Sequence, residues 1–270
     1  MKVCLLQIKV YDKKEDTINN IKSILEKYKD EKIDMLILPE MFNCPYKTSN
    51  FPIYAEFEGG ETWKFLSNLA KERNCYLVGG SIPEKDDENR VYNTSFIFDR
   101  EGRQIGKHRK VHLFDIDVAG GQSFKESDTL TSGDKITTFE TEYGVIGTAI
   151  CYDFRFPEVS RIMVDRGAKI IIVPAAFNMT TGPAHWEILF RSRALDNQVY
   201  TIGTAPARDM ESCYTSYGNS LVVSPWGNIE ERLDEKEGVI IYDLDLERIE
   251  KVRNELPLLK HRRKDIYILK

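Results

Sequence analysis

The sequence predicts an α/β fold in which two mixed β-sheets pack face to face with helices outside them. Apolar runs rich in Val, Ile and Leu alternate with longer segments of helical period, which is the pattern of an α/β protein. Some predicted strands are joined as hairpins and others follow a helix, so parallel and antiparallel pairs are both expected. No linker, internal repeat or low-complexity segment divides the chain, and a single domain covering 1–270 is predicted.

The first half of the chain contains two predicted helices. Residues 16–28 predict an amphipathic helix, because Ile18, Ile21 and Leu25 recur on one face and Asp16 can cap its start. A second helix is predicted at 61–73. The strands of this half are predicted at 3–7, 33–38 and 76–80, followed by a hairpin of 93–98 with 104–107.

The second half continues the alternation of strands and helices. The apolar strand 145–150 precedes a helix that starts at Pro157 and closes at Gly167, since Pro suits a first helical turn and Gly a helix end. Another helix is predicted at 184–197. The remaining strands are predicted at 170–173, 199–205 and 239–243, with a hairpin of 220–223 and 228–232.

Composition argues against several classes of protein. Hydrophobic residues make up 41% and charged residues 30%, which is ordinary for a globular chain and argues against disorder. The formal net charge of −5 argues against nucleic acid as a partner, because nucleic-acid-binding domains carry a basic excess. The apolar run at 3–8 is too short for a signal peptide or a membrane span, so no membrane partner is expected.

The cysteines predict a reduced, cytoplasmic protein. There are five, widely spaced and without a Cys-x-x-Cys pair, which disfavours both a disulfide framework and a structural zinc site. Cys4 and Cys75 lie in strand-like runs and are interpreted as small core residues. Cys44 and Cys213 lie in loop-like segments, where either could be exposed and reactive without being catalytic.

Cys151 is the candidate nucleophile, because it ends a strongly apolar strand and precedes a predicted helix. At the carboxyl end of a strand a side chain reaches a crevice, and nearby backbone N–H groups with a helix N-terminus favour a thiolate. The alternative is a buried structural cysteine, which is the commoner fate of a free thiol. Position alone leaves both interpretations open.

A cysteine nucleophile needs a base, and either a histidine or a carboxylate could serve. Glu40 is the candidate carboxylate, because it follows the apolar strand 33–38 and lies at the edge of a low-dielectric region. It could equally be a solvated acid that opens a loop. Spacing selects none of the four histidines, which are His108, His112, His185 and His261.

Lys110 ends the basic run 107–110. In a water-poor site its cation would stabilise the oxyanion of a tetrahedral intermediate. The alternative for such a run is a solvated basic edge, and this is the preferred interpretation of Lys107 and Arg109.

Three separated blocks of sequence resemble the signature blocks of the nitrilase superfamily and occur in that family's order. They are Leu-Pro-Glu at 38–40, Arg-Lys-Val-His-Leu at 109–113 and Ile-Cys-Tyr-Asp-x-Arg-Phe at 150–156, and the tail at 262–267 is also typical of the family. The resemblance implies a four-layer α-β-β-α sandwich. It also implies a triad of Glu40, Lys110 and Cys151, with Glu126 as a second glutamate that supports the lysine and the substrate.

Within this superfamily the chain most resembles the omega-amidase branch, through residues 112–117, 177–186 and 193–200. That branch hydrolyses the terminal amide of small dicarboxylic-acid monoamides such as alpha-ketoglutaramate, so a small amide is the expected substrate. The segment 119–123 departs from the branch and bears on the shape of the pocket.

The substrate's distant carboxylate needs a cation, and Arg155 is the natural candidate, because a guanidinium can bind a carboxylate with two parallel hydrogen bonds. The alternative for Arg155 is a salt bridge to a neighbour such as Glu158. By resemblance, Phe177 and Thr181 line the same pocket, although Phe177 could be an ordinary core residue.

The predicted reaction needs no metal or organic cofactor. Glu40 takes the proton of Cys151 as the thiol attacks the amide, while Lys110 and the backbone N–H of Tyr152 hold the oxyanion, and water then hydrolyses the thioester. The resemblance also implies a homodimer. Residues 256–270 fit a C-terminal arm that lies on the partner, or an ordinary surface strand.

Other functions stay open at this level. A nitrilase, an N-carbamoyl hydrolase or an amidase acting on deaminated glutathione would share the triad, so only the pocket separates them from an omega-amidase. A catalytically inactive binding subunit could retain the same fold. A redox protein is disfavoured by the absence of a Cys-x-x-Cys motif.

Overall fold

The computed structural model describes residues 1–120 and 123–269, so Gly121, Gln122 and Lys270 lie outside the description. Within these ranges the helices are α1 (Lys14–Glu26), α2 (Phe51–Tyr54), α3 (Glu61–Arg73), α4 (Pro157–Asp165), α5 (Gly182–Asn197) and α6 (Glu247–Glu255). The strands are β1 (Lys2–Gln7), β2 (Met35–Ile37), β3 (Tyr76–Val78), β4 (Ile82–Lys85), β5 (Val91–Phe98), β6 (Gln104–Arg109), β7 (Asp115–Asp117), β8 (Ser123–Lys125), β9 (Thr137–Thr141), β10 (Gly144–Thr148), β11 (Ile170–Pro174), β12 (Tyr200–Thr204), β13 (Leu221–Val223), β14 (Ile229–Arg232) and β15 (Gly238–Asp243).

The first large sheet runs in the order β15-β1-β2-β3-β5. Its centre, β1 to β3, is parallel, whereas β15 and β5 pair antiparallel at the two sides. Strand β5 is long enough to pair with β3 and β4 along one edge and with β6 along the other. Since parallel strands end at the same edge of a sheet, the loops after β2 and β3 meet there.

The second large sheet runs in the order β14-β13-β12-β11-β10-β9. Its centre, β10 to β12, is parallel, and the outer strands pair antiparallel. Cys151 follows β10 after a two-residue extension and begins a short 3-10 helix that covers residues 151–155. The nucleophile candidate therefore lies at the carboxyl edge of the parallel strands.

Alternating side chains of each sheet face two different cores. The inner faces of the two sheets pack against each other through residues that include Leu5, Ile37, Val78, Ile146, Ile172 and Ile202. The outer face of the first sheet packs on α1 and α3 through Leu6, Leu36, Leu77, Ile21 and Leu66. The outer face of the second sheet packs on α4 and α5 through Ile171, Val173, Met163, Trp186 and Phe190. The predicted four-layer α-β-β-α sandwich is confirmed.

Most predicted elements are present with shifted ends. The helix predicted at 16–28 spans Lys14–Glu26, so Asp16 lies within its first turn and does not cap it. The helix predicted from Pro157 ends at Asp165, and Gly167 adopts a φ of +95° two residues later. Strands β4, β7, β8 and β9 were not predicted, because they are short or contain polar residues without a clear alternating pattern.

No helix in the described ranges is both long enough and apolar enough to cross a lipid bilayer. Residues 256–269 form neither helix nor strand and are largely exposed, so the surface strand considered for this segment is absent from the part that the structure describes. The segment is anchored on α4 by an ion pair between Arg262 and Asp165.

Gly80 ties the fold to the position of Glu40. It has a φ of +55°, and a Cβ atom at this position would lie 2.1 Å from the backbone oxygen of Pro39. Gly59 has a φ of +79°, but a Cβ atom added there would have no neighbouring atom within 4 Å. The two glycines share a backbone conformation, and only Gly80 is also confined by the backbone of the β2 end.

We therefore expect Gly80→Ala to lower the free energy of unfolding by more than about 3 kcal/mol, because strain and a backbone clash add together. Gly59→Ala should cost only about 1 to 2 kcal/mol, from its positive φ alone. Urea unfolding followed by circular dichroism measures both. Equal losses in the two variants would contradict the close approach of residues 39 and 80.

Candidate active site

Four of the predicted site residues come together from four different segments of the chain. Glu40 follows β2, Lys110 follows β6, Glu126 follows β8 and Cys151 follows β10. The side chains of Glu40, Lys110 and Glu126 are fully buried, and Cys151 is 5% exposed. The site therefore lies where the loops of both sheets meet.

Lys110 lies between the two glutamates. Its Nζ donates to Oε1 of Glu40 at 3.0 Å and to Oε1 of Glu126 at 2.9 Å. Burial alone would lower the pKa of Lys110, but the charges of Glu126 and Glu40 outweigh burial and raise it above its usual value. The surroundings of Lys110 therefore favour the ammonium form over the neutral amine.

Further donors from outside the predicted set bind the two carboxylates. Tyr46 Oη lies 3.1 Å from Glu40 Oε1 and 2.6 Å from Glu126 Oε1, and Asn93 Nδ2 donates to Glu40 Oε1 at 2.8 Å. The backbone N–H groups of Ala176 and Phe114 donate to Oε2 of Glu40 and of Glu126, at 2.6 and 2.7 Å. Each glutamate is thus oriented at both of its oxygens.

Neither Tyr46 nor Asn93 could be identified from the sequence alone. Tyr46 lies in a loop without regular structure, and Asn93 lies within β5, where it is indistinguishable from other polar strand residues. Burial raises the pKa of Tyr46 well above its usual value, and the charges of Glu126 and Glu40 add to this effect. The phenol therefore acts as a neutral hydrogen-bond donor.

Cys151 is held beside the base as a neutral thiol. Burial raises its pKa well above the usual thiol value, and the negative charge of Glu40 raises it further, while Lys110 partly offsets both effects. A resting thiolate is thereby disfavoured. A carboxylate that accepts the proton as the sulfur attacks is the arrangement that this electrostatic environment allows.

The backbone of Cys151 has a φ of +46°, which is uncommon for a residue with a side chain. In this conformation Cys151 begins the 3-10 helix of residues 151–155. Among the described residues, the backbone N–H of Tyr152 has no protein acceptor, since its place at the start of this helix leaves it without a partner. This N–H is therefore free to bind an oxyanion.

Glu126 shares its environment with a second acid. Burial raises the pKa of Glu126 above its usual value, the charge of Lys110 lowers it in part, and the charge of Glu40 raises it again. Both acids bind Lys110 and Tyr46 through one oxygen each, so the two carboxylates share the same two partners.

Arg155 lies near the site without a carboxylate partner. Among the described residues no acidic side chain lies within 4 Å of its guanidinium, so the alternative ion pair with Glu158 is absent. Its Nη1 lies 3.0 Å from Nδ1 of His185, and the guanidinium lies 4.6 Å from the centre of the Phe177 ring. Burial lowers the pKa of Arg155 below its usual value. An unpaired cation in this position favours an anionic ligand.

The other two predicted pocket residues have partners within the protein. Phe177 is 3% exposed and packs edge-on against Trp186, with ring centres 5.1 Å apart. Thr181 donates from its backbone N–H and its hydroxyl to Oδ1 of Asn178, at 2.8 and 3.0 Å. Phe177 therefore belongs to the core as well as to the surroundings of Arg155.

A small cavity of about 30 Å³ adjoins Glu40. Its lining includes Tyr46, Ala176, Tyr214 and Ser216, and it does not include Cys151 or Arg155. Glu40 therefore lies beside a cavity whose lining does not include the candidate nucleophile. Among the described residues, no group of three His, Cys, Asp or Glu side chains has the arrangement of a metal site.

The other four cysteines differ in their exposure. Cys4 and Cys75 are fully buried, as predicted, and burial raises the pKa of each to about 12. Cys213 is exposed, whereas Cys44 is buried and burial raises its pKa far above the usual value. The exposure considered for Cys44 is therefore wrong, because its side chain is buried. A buried thiol of this kind is not readily deprotonated.

Lys107 and Arg109 do not form a solvated basic edge. Both are about a quarter exposed and bind the buried carboxylate of Glu84, Arg109 at 2.8 and 2.9 Å through two nitrogens. These side chains therefore belong to an ion-pair network beside β6, and Lys110 alone of the basic run enters the site.

Comparison with known proteins shows the family to which the chain is similar. The model of the family described as carbon-nitrogen hydrolase matches residues 2–254. The chain is 44% identical to the omega-amidase NIT2 of Mus musculus, over 98% of this chain and 96% of that protein. It is 46% identical to nitrilase homolog 2 of Dictyostelium discoideum, over 98% of this chain and 81% of that protein.

A solved structure has the same fold. The crystal structure of Saccharomyces cerevisiae Nit3, a member of branch 10 of the nitrilase superfamily, superposes with a TM-score of 0.90 at 44% identity, covering 97% of this chain and 96% of that one. The resemblance that the three sequence blocks indicated is thereby confirmed. The chain belongs to the carbon-nitrogen hydrolase family, within the nitrilase superfamily.

Proposed function

We propose that this chain is an omega-amidase that hydrolyses the terminal amide of short dicarboxylic-acid monoamides, such as alpha-ketoglutaramate. The observation that carries the substrate class is the unpaired cation of Arg155, four residues after Cys151, which would bind the distant carboxylate. The relatives named omega-amidases, at 42–45% identity over nearly the whole chain, support the same substrate class.

In the first half of the proposed reaction, the sulfur of Cys151 bonds to the amide carbon as Glu40 takes the thiol proton. The carbonyl oxygen becomes an oxyanion held by the Lys110 ammonium and the Tyr152 N–H. Glu40 then passes its proton to the amide nitrogen, the carbon–nitrogen bond breaks and ammonia leaves. The products of this half are ammonia and a Cys151 thioester.

In the second half Glu40 takes a proton from water, and the resulting hydroxide adds to the thioester carbon. The carbon–sulfur bond breaks, the sulfur takes the proton back from Glu40, and the dicarboxylic acid leaves. Glu126 keeps Lys110 oriented in both halves through the 2.9 Å hydrogen bond. Phe177, Thr181 and Tyr152 would contact the substrate near Arg155, whose guanidinium lies close to the rings of Tyr152 and Phe177.

The proposal predicts that wild-type protein releases ammonia from alpha-ketoglutaramate and succinamate, and that Cys151→Ala lowers this rate by at least about 10³-fold. Cys213→Ala is the matched control, because it removes an exposed thiol outside the site and should leave the rate unchanged. The panel should also contain glutamine, an N-carbamoyl amino acid and a simple nitrile.

The set of substrates that the protein hydrolyses distinguishes the candidate functions. Turnover of only the carbamoyl compound or the nitrile would reject the omega-amidase and retain the triad. Unchanged turnover in Cys151→Ala would reject the mechanism. If wild-type protein released no ammonia and a thiol reagent labelled Cys151 no faster than Cys213, the chain would be an inactive binding subunit.

The role of Arg155 is tested by changing the enzyme and the substrate together. We expect Arg155→Gln to lower kcat/KM for succinamate by about 10- to 100-fold, as the loss of a charged hydrogen-bonding partner does. Butanamide has the same length without the carboxylate, and its weaker turnover should change less than about threefold. Parallel losses with both amides would show that Arg155 supports the fold rather than the substrate.

We also propose that the chain forms a homodimer through the side that carries α4, α5 and the arm at 256–270. Large apolar side chains are exposed on α5 and on this arm, and such surfaces are typical of an interface. They are Ile188, Leu195, Leu256, Leu258, Ile266 and Ile268.

The five unpaired cysteines agree with a reducing compartment, and we propose the cytoplasm, which imaging of the tagged chain would test.

We expect sedimentation equilibrium to give a dimer for wild-type protein and a monomer for the double variant Ile266→Glu with Ile268→Glu, because two buried charges would oppose association. Ile53→Glu is the matched control, since Ile53 is 76% exposed on α2, which packs outside the α4–α5 layer. A monomeric wild-type protein, or a dimer that survives the double change, would contradict this interface.

A further inference from the structure

Asp153 is a buried carboxylate that the proposed reaction does not use. It is fully buried two residues after Cys151 and accepts hydrogen bonds from five protein groups. Its Oδ1 accepts from the backbone N–H groups of Val111 and His112, at 3.1 and 2.8 Å, and lies 2.9 Å from Nδ1 of His112. Its Oδ2 accepts from the Ile150 N–H at 3.2 Å and lies 2.9 Å from Nε2 of His108.

These five groups belong to the two segments that carry the catalytic cation and the nucleophile. Four of them lie in residues 108–112, on both sides of Lys110, and the fifth belongs to Ile150, directly before Cys151. The first segment extends β6 of one sheet and the second extends β10 of the other. One carboxylate therefore joins the two sheets at the active site.

The two histidines are fixed on their other sides as well. The ring of His112 stacks on Phe156, with centres 3.8 Å apart and planes at 16°. Nδ1 of His108 lies 3.1 Å from Oγ1 of Thr137, and that hydroxyl donates to the backbone oxygen of Lys107 at 3.2 Å. Since each ring has partners on opposite sides, a change at Asp153 is transmitted to both segments.

The surroundings favour the ionised form of Asp153. Burial alone would raise its pKa, but hydrogen bonds from His108 and His112 outweigh burial and hold the pKa of Asp153 well below its usual range. A carboxylate is an acceptor at both oxygens, whereas an amide replaces one acceptor with a donor. An asparagine at this position would place its own side-chain N–H group against at least one N–H group that now donates to a carboxylate oxygen of Asp153.

The same carboxylate holds the turn that contains the strained Cys151 backbone. The backbone N–H of Asp153 donates to the backbone oxygen of Ile150 at 3.0 Å, and the Ile150 N–H donates to the Asp153 side chain. These two hydrogen bonds hold the turn in which Cys151 has a φ of +46°. A conformation of this kind persists only where its surroundings hold it.

We propose that Asp153 is a positioning residue that fixes the Cys151 thiol relative to the Lys110 ammonium. This inference rests on the proposed function, because the two groups must act on one amide. Asp153 touches neither the substrate nor the reacting atoms. Its loss lets Cys151 relax from its strained conformation and moves the sulfur away from Glu40, so the chemical step slows while Arg155 keeps its place beside His185 and Phe177.

The experiment compares Asp153→Asn with Glu84→Gln as a matched control. Glu84 is also a buried carboxylate held by neighbours of Lys110, since it binds Thr94, Lys107 and Arg109. It does not reach the segment of Cys151. Both changes remove one buried charge next to β6, and only the first removes the connection between the two sheets.

The first measurement is independent of the substrate. Iodoacetamide labelling of Cys151 is followed by peptide mass spectrometry relative to the exposed Cys213 of the same molecule, and the buried Cys4 reports unfolding. We expect Asp153→Asn to lower the ratio of Cys151 to Cys213 labelling by about 10-fold with Cys4 still protected, and Glu84→Gln to leave this ratio unchanged.

The second measurement is steady-state hydrolysis of succinamate. We expect Asp153→Asn to lower kcat by about 10- to 100-fold with KM changed by less than about threefold, and Glu84→Gln to leave both unchanged. If Asp153→Asn does not fold, His112→Phe keeps the stacking on Phe156 and removes one hydrogen bond to Asp153. It should lower kcat by about 3- to 10-fold, again without a matching change in KM.

The outcomes separate this inference from the proposed function. An unchanged or increased labelling ratio in a folded Asp153→Asn or His112→Phe protein would overturn the positioning role, as would equal kcat losses in Glu84→Gln. A wild-type protein that hydrolyses no amide would reject the proposed function. The labelling ratio would still test whether Asp153 positions the thiol.

Discussion

The arrangement of the active site depends on one buried cation, Lys110, between two buried carboxylates. Removing three ionised groups from water is costly, and the cost is offset only if each remaining lone pair and proton finds a partner. The structure supplies these partners from Tyr46, Asn93 and two backbone N–H groups. The charge cluster is therefore stable only when all of its contributing segments are in place.

This requirement couples catalysis to the packing of the two sheets. Glu40 and Lys110 extend strands of one sheet, Cys151 extends a strand of the other, and Ala176, which binds Glu40, follows β11 of that second sheet. The hydrogen bonds of Glu40 are therefore complete only when the second sheet is in place. The apolar contact of Ile37 and Val78 with Ile146 and Ile172 brings the sheets together and so sets the distances on which the chemistry depends.

The sequence predicts the catalytic groups better than it predicts their supports, for a physical reason. Glu40 and Cys151 stand out because each follows an apolar strand, and a polar group there must lie at a sheet edge. Tyr46 binds Glu126, 80 positions away, and Asn93 binds Glu40, 53 positions away, so no local pattern marks these contacts. Strands β7 and β8 escape prediction for a related reason, because only the pairing of one with the other defines them.

The electrostatics of the site favour the proposed combination of a carboxylate base with a cysteine nucleophile. A histidine base would leave a thiolate–imidazolium pair at rest, whereas here burial and the charge of Glu40 raise the pKa of Cys151 and keep its proton. In the proposed reaction, the negative charge appears on the sulfur only as its bond to the amide carbon forms. It moves at once to the oxygen beside Lys110, whose ammonium is already held between Glu40 and Glu126. Because that cation needs no rearrangement when the charge arrives, its stabilisation acts chiefly on the transition state.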